Sequence, residues 1–188
     1  MEQKKTERNL PHFIDGVNIY LRGVFASDAN ANYCKWMNDT EVTQYLESRF
    51  YPHSVESITS YISQVKASSG SVLLAIVAKD KNIHIGNIKL GSINWIHRYA
   101  DVGILIGDKT YWGKGIAVEA IKLVIEYAFK KLNLHRLEAG CYSNNIASIK
   151  AFKKAGFIEE GCLKQRYFFN GGYVDRVCLG ILRENLLV

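Results

Sequence analysis

YWGKGIAVEA, residues 111 to 120, decides how the rest of the chain is read, and its centre is Gly113-Lys114-Gly115-Ile116-Ala117. Upstream, Val102, Ile104 and Ile106 alternate with Gly103, Leu105 and Gly107, the period of a largely buried strand. Downstream, Val118, Ile121, Val124, Ile125, Ala128, Phe129 and Leu132 fall at helical spacing, so a long amphipathic helix follows. The stretch therefore joins a strand to a helix N-terminus. Unpaired N–H groups and the positive end of the helix dipole gather there, and two glycines let a bulky anion approach the backbone. A phosphate or pyrophosphate suits this chemistry; a Gly-rich turn without a ligand is the alternative.

Spacing excludes two well-known phosphate loops. A Walker loop needs four residues between its first Gly and the Gly-Lys and then Ser or Thr, whereas five residues separate Gly107 from Gly113 and Gly115 follows Lys114. A dinucleotide fingerprint starting at Gly113 and Gly115 needs Gly or Ala where Val118 stands.

The stretch does resemble the acetyl-CoA loop of the GNAT acyltransferases, Arg/Gln-x-x-Gly-x-Gly/Ala, through Trp112, Gly115 and Ala117. Trp112 departs from the usual Arg or Gln, as is common in the ribosomal-protein and spermidine N-acetyltransferase branches that this chain is similar to. The likeness continues through Asn145-Ile146-Ala147-Ser148, Lys154-Ala155-Gly156-Phe157, Glu160-Gly161-Cys162-Leu163-Lys164 and Asn170-Gly171-Gly172-Tyr173. It implies an α/β fold whose mixed, mostly antiparallel sheet has splayed central strands and flanking helices. It implies acetyl-CoA as co-substrate, with pantetheine against the backbone of Leu105 and Ile106. The phosphates would lie on Trp112, Gly113, Lys114, Gly115, Ile116 and Ala117, with Asn145, Ser148, Phe152 and Lys153 contributing from the next helix.

The chain has 188 residues, the size of one ordinary domain over 1–188, with residues 1–13 expected to be a flexible tail. Its 48% hydrophobic content argues against extended disorder. The first residues carry charge without an apolar stretch and no run is as long as a membrane span, so a soluble cytoplasmic protein without membrane association is expected. Cys34, Cys141, Cys162 and Cys178 form no C-x-x-C pair, and the five histidines share no ligand spacing, so no metal site is expected. The formal charge of +6 comes without a basic run, which argues against nucleic acid. Lys114, Lys122, Lys150, Lys153 and Lys154 cluster around the proposed CoA segments, so CoA phosphates or a solvated lysine surface account for the excess.

Along the chain, Val17, Ile19 and Leu21 alternate as a first strand, and Ser27 or Asp28 can cap a helix carrying Tyr33, Trp36 and Met37. A short helical turn from Glu41 to Leu46, an irregular segment from Glu47 to His53 and a helix capped by Ser54 follow. Strands are predicted over Val72 to Ala78, His84 to Ile93, Tyr99 to Ile106 and Leu137 to Tyr142. A short helix begins at Asn144 or Asn145 and ends at Gly156, and Gly161 to Phe169 and Tyr173 to Leu182 form a hairpin across Asn170-Gly171-Gly172.

Transfer of an acetyl group from a thioester to an amine needs the reactants held together, a neutral amine and a proton for the leaving thiolate. By resemblance, Glu160 is the candidate base, with a structural or orienting carboxylate as its alternative, and Asp101 is the second candidate. The Tyr that serves as acid in many relatives is replaced by Phe152, which cannot donate, so Ser148 is the candidate acid. The two early helices and their linker resemble the acceptor-shaping region, where Trp36, Glu47, Arg49 and Tyr51, with Tyr167 from the hairpin, are the candidate contacts. The reading is an acetyl-CoA-dependent N-acetyltransferase working by direct transfer in a ternary complex, with room for a homodimer. The acceptor is a protein N-terminal amine or an amino-sugar nucleotide; a polyamine, or a non-catalytic CoA-binding module, is the alternative.

Overall fold

The structure is a computed structural model and describes residues 12–186. Its strands are β1 (Ile14–Asp15), β2 (Ile19–Gly23), β3 (Val72–Ala78), β4 (Ile83–Asn94), β5 (Tyr99–Ile106), β6 (Arg136–Tyr142), β7 (Ile158–Phe169) and β8 (Gly172–Leu182). The helices are α1 (Ala31–Met37), α2 (Thr40–Thr43), α3 (Val55–Ala67), α4 (Ile116–Lys130) and α5 (Ile146–Ala155). All eight strands form one sheet in the order β1-β2-β3-β4-β5-β6-β8-β7.

Every neighbouring pair is antiparallel except β5 with β6. That parallel pair holds only from Tyr99 with Arg136 to Asp101 with Glu138. Beyond it the strands part, as the resemblance implied, while Leu105 and Ile106 stay paired on their other side with Asn87 and Gly86 of β4.

The alternation of strand side chains divides the core into two layers. On β2 and β3, Ile19, Leu21, Leu74 and Ile76 join the cluster around Ile121, Val124 and Phe129 of α4. Tyr20, Ala75 and Val77 point the other way, against Tyr33 of α1 and Ile58 and Ile62 of α3. α5 adds Phe152 and Ala155 to the α4 layer.

Helix starts follow local chemistry. Asp39 accepts from the N–H groups of Glu41 and Val42, Ser54 from Ser57, and Asn145 from Ser148. The cap of α1 is Asn30, which accepts from Asn32 and Tyr33, and not Ser27 or Asp28. Asp28 is committed elsewhere: its carboxylate accepts two 2.7 Å hydrogen bonds from the Arg22 guanidinium and one from the Phe25 N–H. Residues 1–11 of the expected tail lie outside the described residues, but His12 and Phe13 are packed: His12 stacks on Tyr20 at 3.6 Å, and Phe13 meets Tyr127 edge-on. β7 begins at Ile158, three residues before the predicted start at Gly161, because the ladder with β8 continues past a register shift there.

Arg22 and Asp28 are both buried, at 6% exposure each. Burial pushes the Asp28 carboxyl up, yet the hydrogen bonds from Arg22 and Phe25 outweigh it and hold the group below its ordinary value. Asp28→Ala strands the guanidinium in the core and should lower unfolding free energy by about 3–5 kcal/mol. A carboxylate depressed on folding stabilises above its unfolded pKa, so the difference between wild type and variant should be complete at pH 7 and narrow as pH falls below about 4. Urea titrations at several pH values check this.

Candidate active site

The parting of β5 and β6 opens a cavity of about 560 Å³, bordered by β5, the end of β6, the 111–118 loop and α5. The loop is held from three sides. Buried Tyr111 donates its hydroxyl hydrogen to Asp80, Asp108 accepts from the Thr110 N–H, and the Trp112 indole N–H donates to the Ile106 carbonyl at 2.8 Å. Trp112 therefore staples the loop to the end of β5. Gly113 (φ 73°) and Gly115 (φ 80°) occupy the left-handed region that side chains resist. No side chain caps α4, whose first N–H groups are left for a ligand. The acid of its first turn, Glu119, accepts hydrogen bonds from the N–H groups of Val17, Asn18 and Ile19, which hold its charge away from the loop. Such a helix start can hold a pyrophosphate.

The cations that border this cavity are Lys150 and Lys154, on one face of α5. Two predicted residues fall away from it. Lys153 pairs with Glu159 at 2.8 Å, and Lys114 extends over the Tyr111 ring at 5.3 Å. Leu105, Ile106, Trp112, Gly113, Gly115, Ile116, Ala117, Asn145, Ser148 and Phe152 all border the cavity. Ser148 has its Oγ 3.4 Å from Cys141 Sγ, and Phe152 packs edge-on against Phe157 at 5.0 Å.

A second cavity, about 480 Å³, lies on the α1 and α3 side of β4 and β5. Tyr33, Glu47, Tyr51, Tyr61, Asn87 and Lys89 contribute to its wall. Leu46, Gly103, Ile104 and Leu105 border both cavities, so two ligands would meet across β5.

Glu160, the predicted base, is at neither cavity. Both terminal nitrogens of Arg136 hydrogen-bond its carboxylate, one of them at 2.8 Å. Arg136 opens β6 whereas Tyr142, at the cavity, closes it; six residues at about 3.3 Å each put about 20 Å between them. The guanidinium also holds the Glu160 carboxyl below the usual range, which weakens it as a base. Asp101 sits where β5 and β6 part, outside both walls; burial, then the nearby Glu138 charge, pushes its carboxyl up.

Three predicted acceptor contacts are spent within the protein. Trp36 lies over Gly107, where a Cβ would come within 2.1 Å of its ring, and packs edge-on to His84. Tyr167 stacks on Tyr142 at 4.1 Å. Arg49 donates to the Leu46 carbonyl (2.8 Å), the Tyr142 hydroxyl (2.8 Å) and the Phe168 carbonyl (2.6 Å), tying the 47–50 turn to β6 and β7.

Tyr142 is one of the cavity residues that sequence reasoning passed over, with Tyr33, Tyr61, Asn87 and Lys89 of the second cavity. It borders the first cavity, and its hydroxyl donates to Glu47 Oε1 at 3.0 Å on the second. Burial pushes its phenol above the ordinary value, with Arg49 pulling it down and Glu47 adding to the rise. The signal was its place in the alternation Glu138, Gly140, Tyr142, which sets it on the face opposite Leu137, Ala139 and Cys141 at the open end of β6.

Residues 18–158 match the family model described as Acetyltransferase (GNAT) domain. The chain belongs to the GNAT acetyltransferase family. Among relatives of this GNAT chain, the probable N-acetyltransferase YjcK of Bacillus subtilis is 31% identical over 180 residues, covering 92% of this chain and 98% of the relative. The spermidine N(1)-acetyltransferase of Vibrio cholerae is 36% identical over 107 residues, 57% of this chain and 61% of the relative. The crystal structure of spermidine N-acetyltransferase from Vibrio cholerae, in complex with CoA and spermine, superposes with a TM-score of 0.83 at 26% identity, covering 91% of this chain and 99% of that one. This GNAT protein is an acetyl-CoA-dependent N-acetyltransferase. No helix among the described residues is long and apolar enough to cross a membrane.

Val at position 115 cannot hold φ 80° without strain, so Gly115→Val should shift the start of α4 and raise the acetyl-CoA Kd by about tenfold or more, while circular dichroism stays native. Titration calorimetry checks this; an unchanged Kd in a folded variant would put the pyrophosphate elsewhere.

Proposed function

We propose that the enzyme acetylates an α-amine that has a carbonyl or carboxylate beside it, as at a peptide N-terminus, on a residue with an apolar or aromatic side chain. The second cavity supports this through what it offers a ligand. Tyr33, Tyr51 and Tyr61 give it aromatic walls, and Glu47 is the one acid on its lining. An ammonium can settle at Glu47 before it loses its proton.

The observation that carries the reading is Asn87. His84 Nε2 lies 2.9 Å from the Gly86 carbonyl and 3.0 Å from Asn87 Oδ1. The carbonyl can only accept, so Nε2 carries the hydrogen and Asn87 presents its oxygen to the ring. Burial keeps His84 neutral at pH 7 by lowering its pKa against the pull of Asp28. The amide nitrogen of Asn87, a residue of the cavity wall, is then left buried without a partner among the described residues. It needs an acceptor atom, as does the Lys89 ammonium two residues along β4. A carbonyl or carboxylate next to the reacting amine supplies one.

A polyamine is the second reading, favoured by the likeness to the Vibrio cholerae spermidine N-acetyltransferase. Its protonated nitrogens only donate, and a second ammonium would find Lys89 in place of a second acid. An amino-sugar nucleotide loses support because Arg49, the group meant for its diphosphate, is engaged at three oxygens.

Thiol release from acetyl-CoA, followed with a panel of amines, tests the reading. Peptides with free N-termini should give kcat/KM at least about tenfold above spermidine and above an amino-sugar nucleotide. Asn87→Leu should raise the peptide KM and leave that of acetyl-CoA nearly unchanged. Spermidine as the best acceptor, unaffected by Asn87→Leu, would overturn the assignment.

A further inference from the structure

One hydrogen bond joins the walls of the two cavities, between Tyr142 on the first and Glu47 on the second. Arg49 determines the direction of that bond. Its Nη1 donates to the phenol oxygen at 2.8 Å, so one lone pair is taken and the phenol hydrogen is left to point at Glu47 Oε1, 3.0 Å away. The ring is held by stacking on Tyr167 at 4.1 Å and by Tyr45 at 5.7 Å. The position that carries a donor in many relatives is Phe152, buried and without a proton to give.

We propose that Glu47 and Tyr142 form the proton relay of acetyl transfer, Glu47 as the base toward the amine and Tyr142 as the acid toward the thiolate. The amine arrives as an ammonium and passes one proton to the Glu47 carboxylate; the freed nitrogen forms a bond to the thioester carbonyl carbon and sheds a second proton to water. The C–S bond breaks with its electron pair on sulfur, and the sulfur takes the phenol proton of Tyr142. The phenolate is restored by the proton now on Glu47, along the hydrogen bond that joins them at rest. The first proton lost by nitrogen thus ends on the CoA thiol, and both side chains return to their starting state. A phenol suits this role better than the Ser148 hydroxyl, because its acidity lies nearer that of the departing thiol.

The relay rests on the second cavity holding the acceptor, but it serves any primary amine seated at Glu47. The assay therefore uses whichever amine of the panel turns over fastest, so that a wrong acceptor class and a wrong relay give different results. Tyr142→Phe keeps the stacked ring and removes the hydroxyl; kcat should fall by about 10²-fold or more, with the acetyl-CoA KM within about twofold of wild type. Glu47→Gln keeps a hydrogen-bond acceptor but cannot take a proton, so its loss of kcat should shrink as pH rises and more amine arrives neutral. The double variant should be no slower than the slower single variant, because the two groups act as one unit. Thermal unfolding verifies that each variant folds, and if Tyr142→Phe does not, the pH profile of Glu47→Gln decides alone. A folded Tyr142→Phe enzyme within about threefold of the wild-type kcat, a Glu47→Gln loss that is flat in pH, or a double loss equal to the product of the single losses would overturn the relay.

Discussion

Everything at the site follows from two parallel strands that stop pairing. β5 and β6 share a ladder for three residues and then separate, so the edges of both strands from Val102 and Ala139 onward face a gap inside the sheet. Buried N–H and C=O groups without partners are expensive. The protein meets part of that demand itself, since the Trp112 indole takes the Ile106 carbonyl. The remaining polar edge of β5 is a ready ladder for an amide-bearing chain laid between the strands. Pantetheine, with its amides in series, has the chemistry to act as the missing strand.

The electrostatics agree with this division. On the cofactor side, the open start of α4 and the Lys150 and Lys154 ammonium groups offer positive charge, while Glu119 is held aside by backbone N–H groups. On the wall of the second cavity, among the described residues, the one carboxylate is Glu47 and the one ammonium Lys89, with three tyrosines beside them. With the acceptor in the second cavity, as proposed, a polyanionic cofactor and a cationic amine would be drawn to opposite sides of one strand.

Reading the sequence succeeded where the governing interactions are local. β3 and β5 begin and end where alternation put them, α4 starts at the glycines, and Asn145 caps α5, because each depends on neighbours within a few residues. It failed where side chains find partners far along the chain. Glu160 is claimed by Arg136, 24 residues away, Arg49 by Phe168, 119 residues away, and Asp28 leaves its expected capping role for Arg22 across a turn. Charge and position did not reveal those pairings. Tyr142 was legible as to face and strand end; its bond to Glu47, 95 residues distant, appears only when the sheet is assembled.

The contact of Trp36 with Gly107 has a consequence for how such an enzyme changes its preferences over time. With the indole lying where a Cβ would be, α1 is fixed against the end of β5, a few residues before the cofactor loop. Movement of that helix would be transmitted to the loop, so α1 is a poor place to vary. Tyr51, by contrast, lies on the wall of the second cavity and is 73% exposed. Exposed loop positions of this kind are freer to vary than Glu47 and Arg49, which are tied to Tyr142 on the wall of the first cavity. With the acceptor in the second cavity, as proposed, a change at an exposed wall position such as Tyr51 would alter the fit of the amine and leave the contacts of the acetyl donor in place.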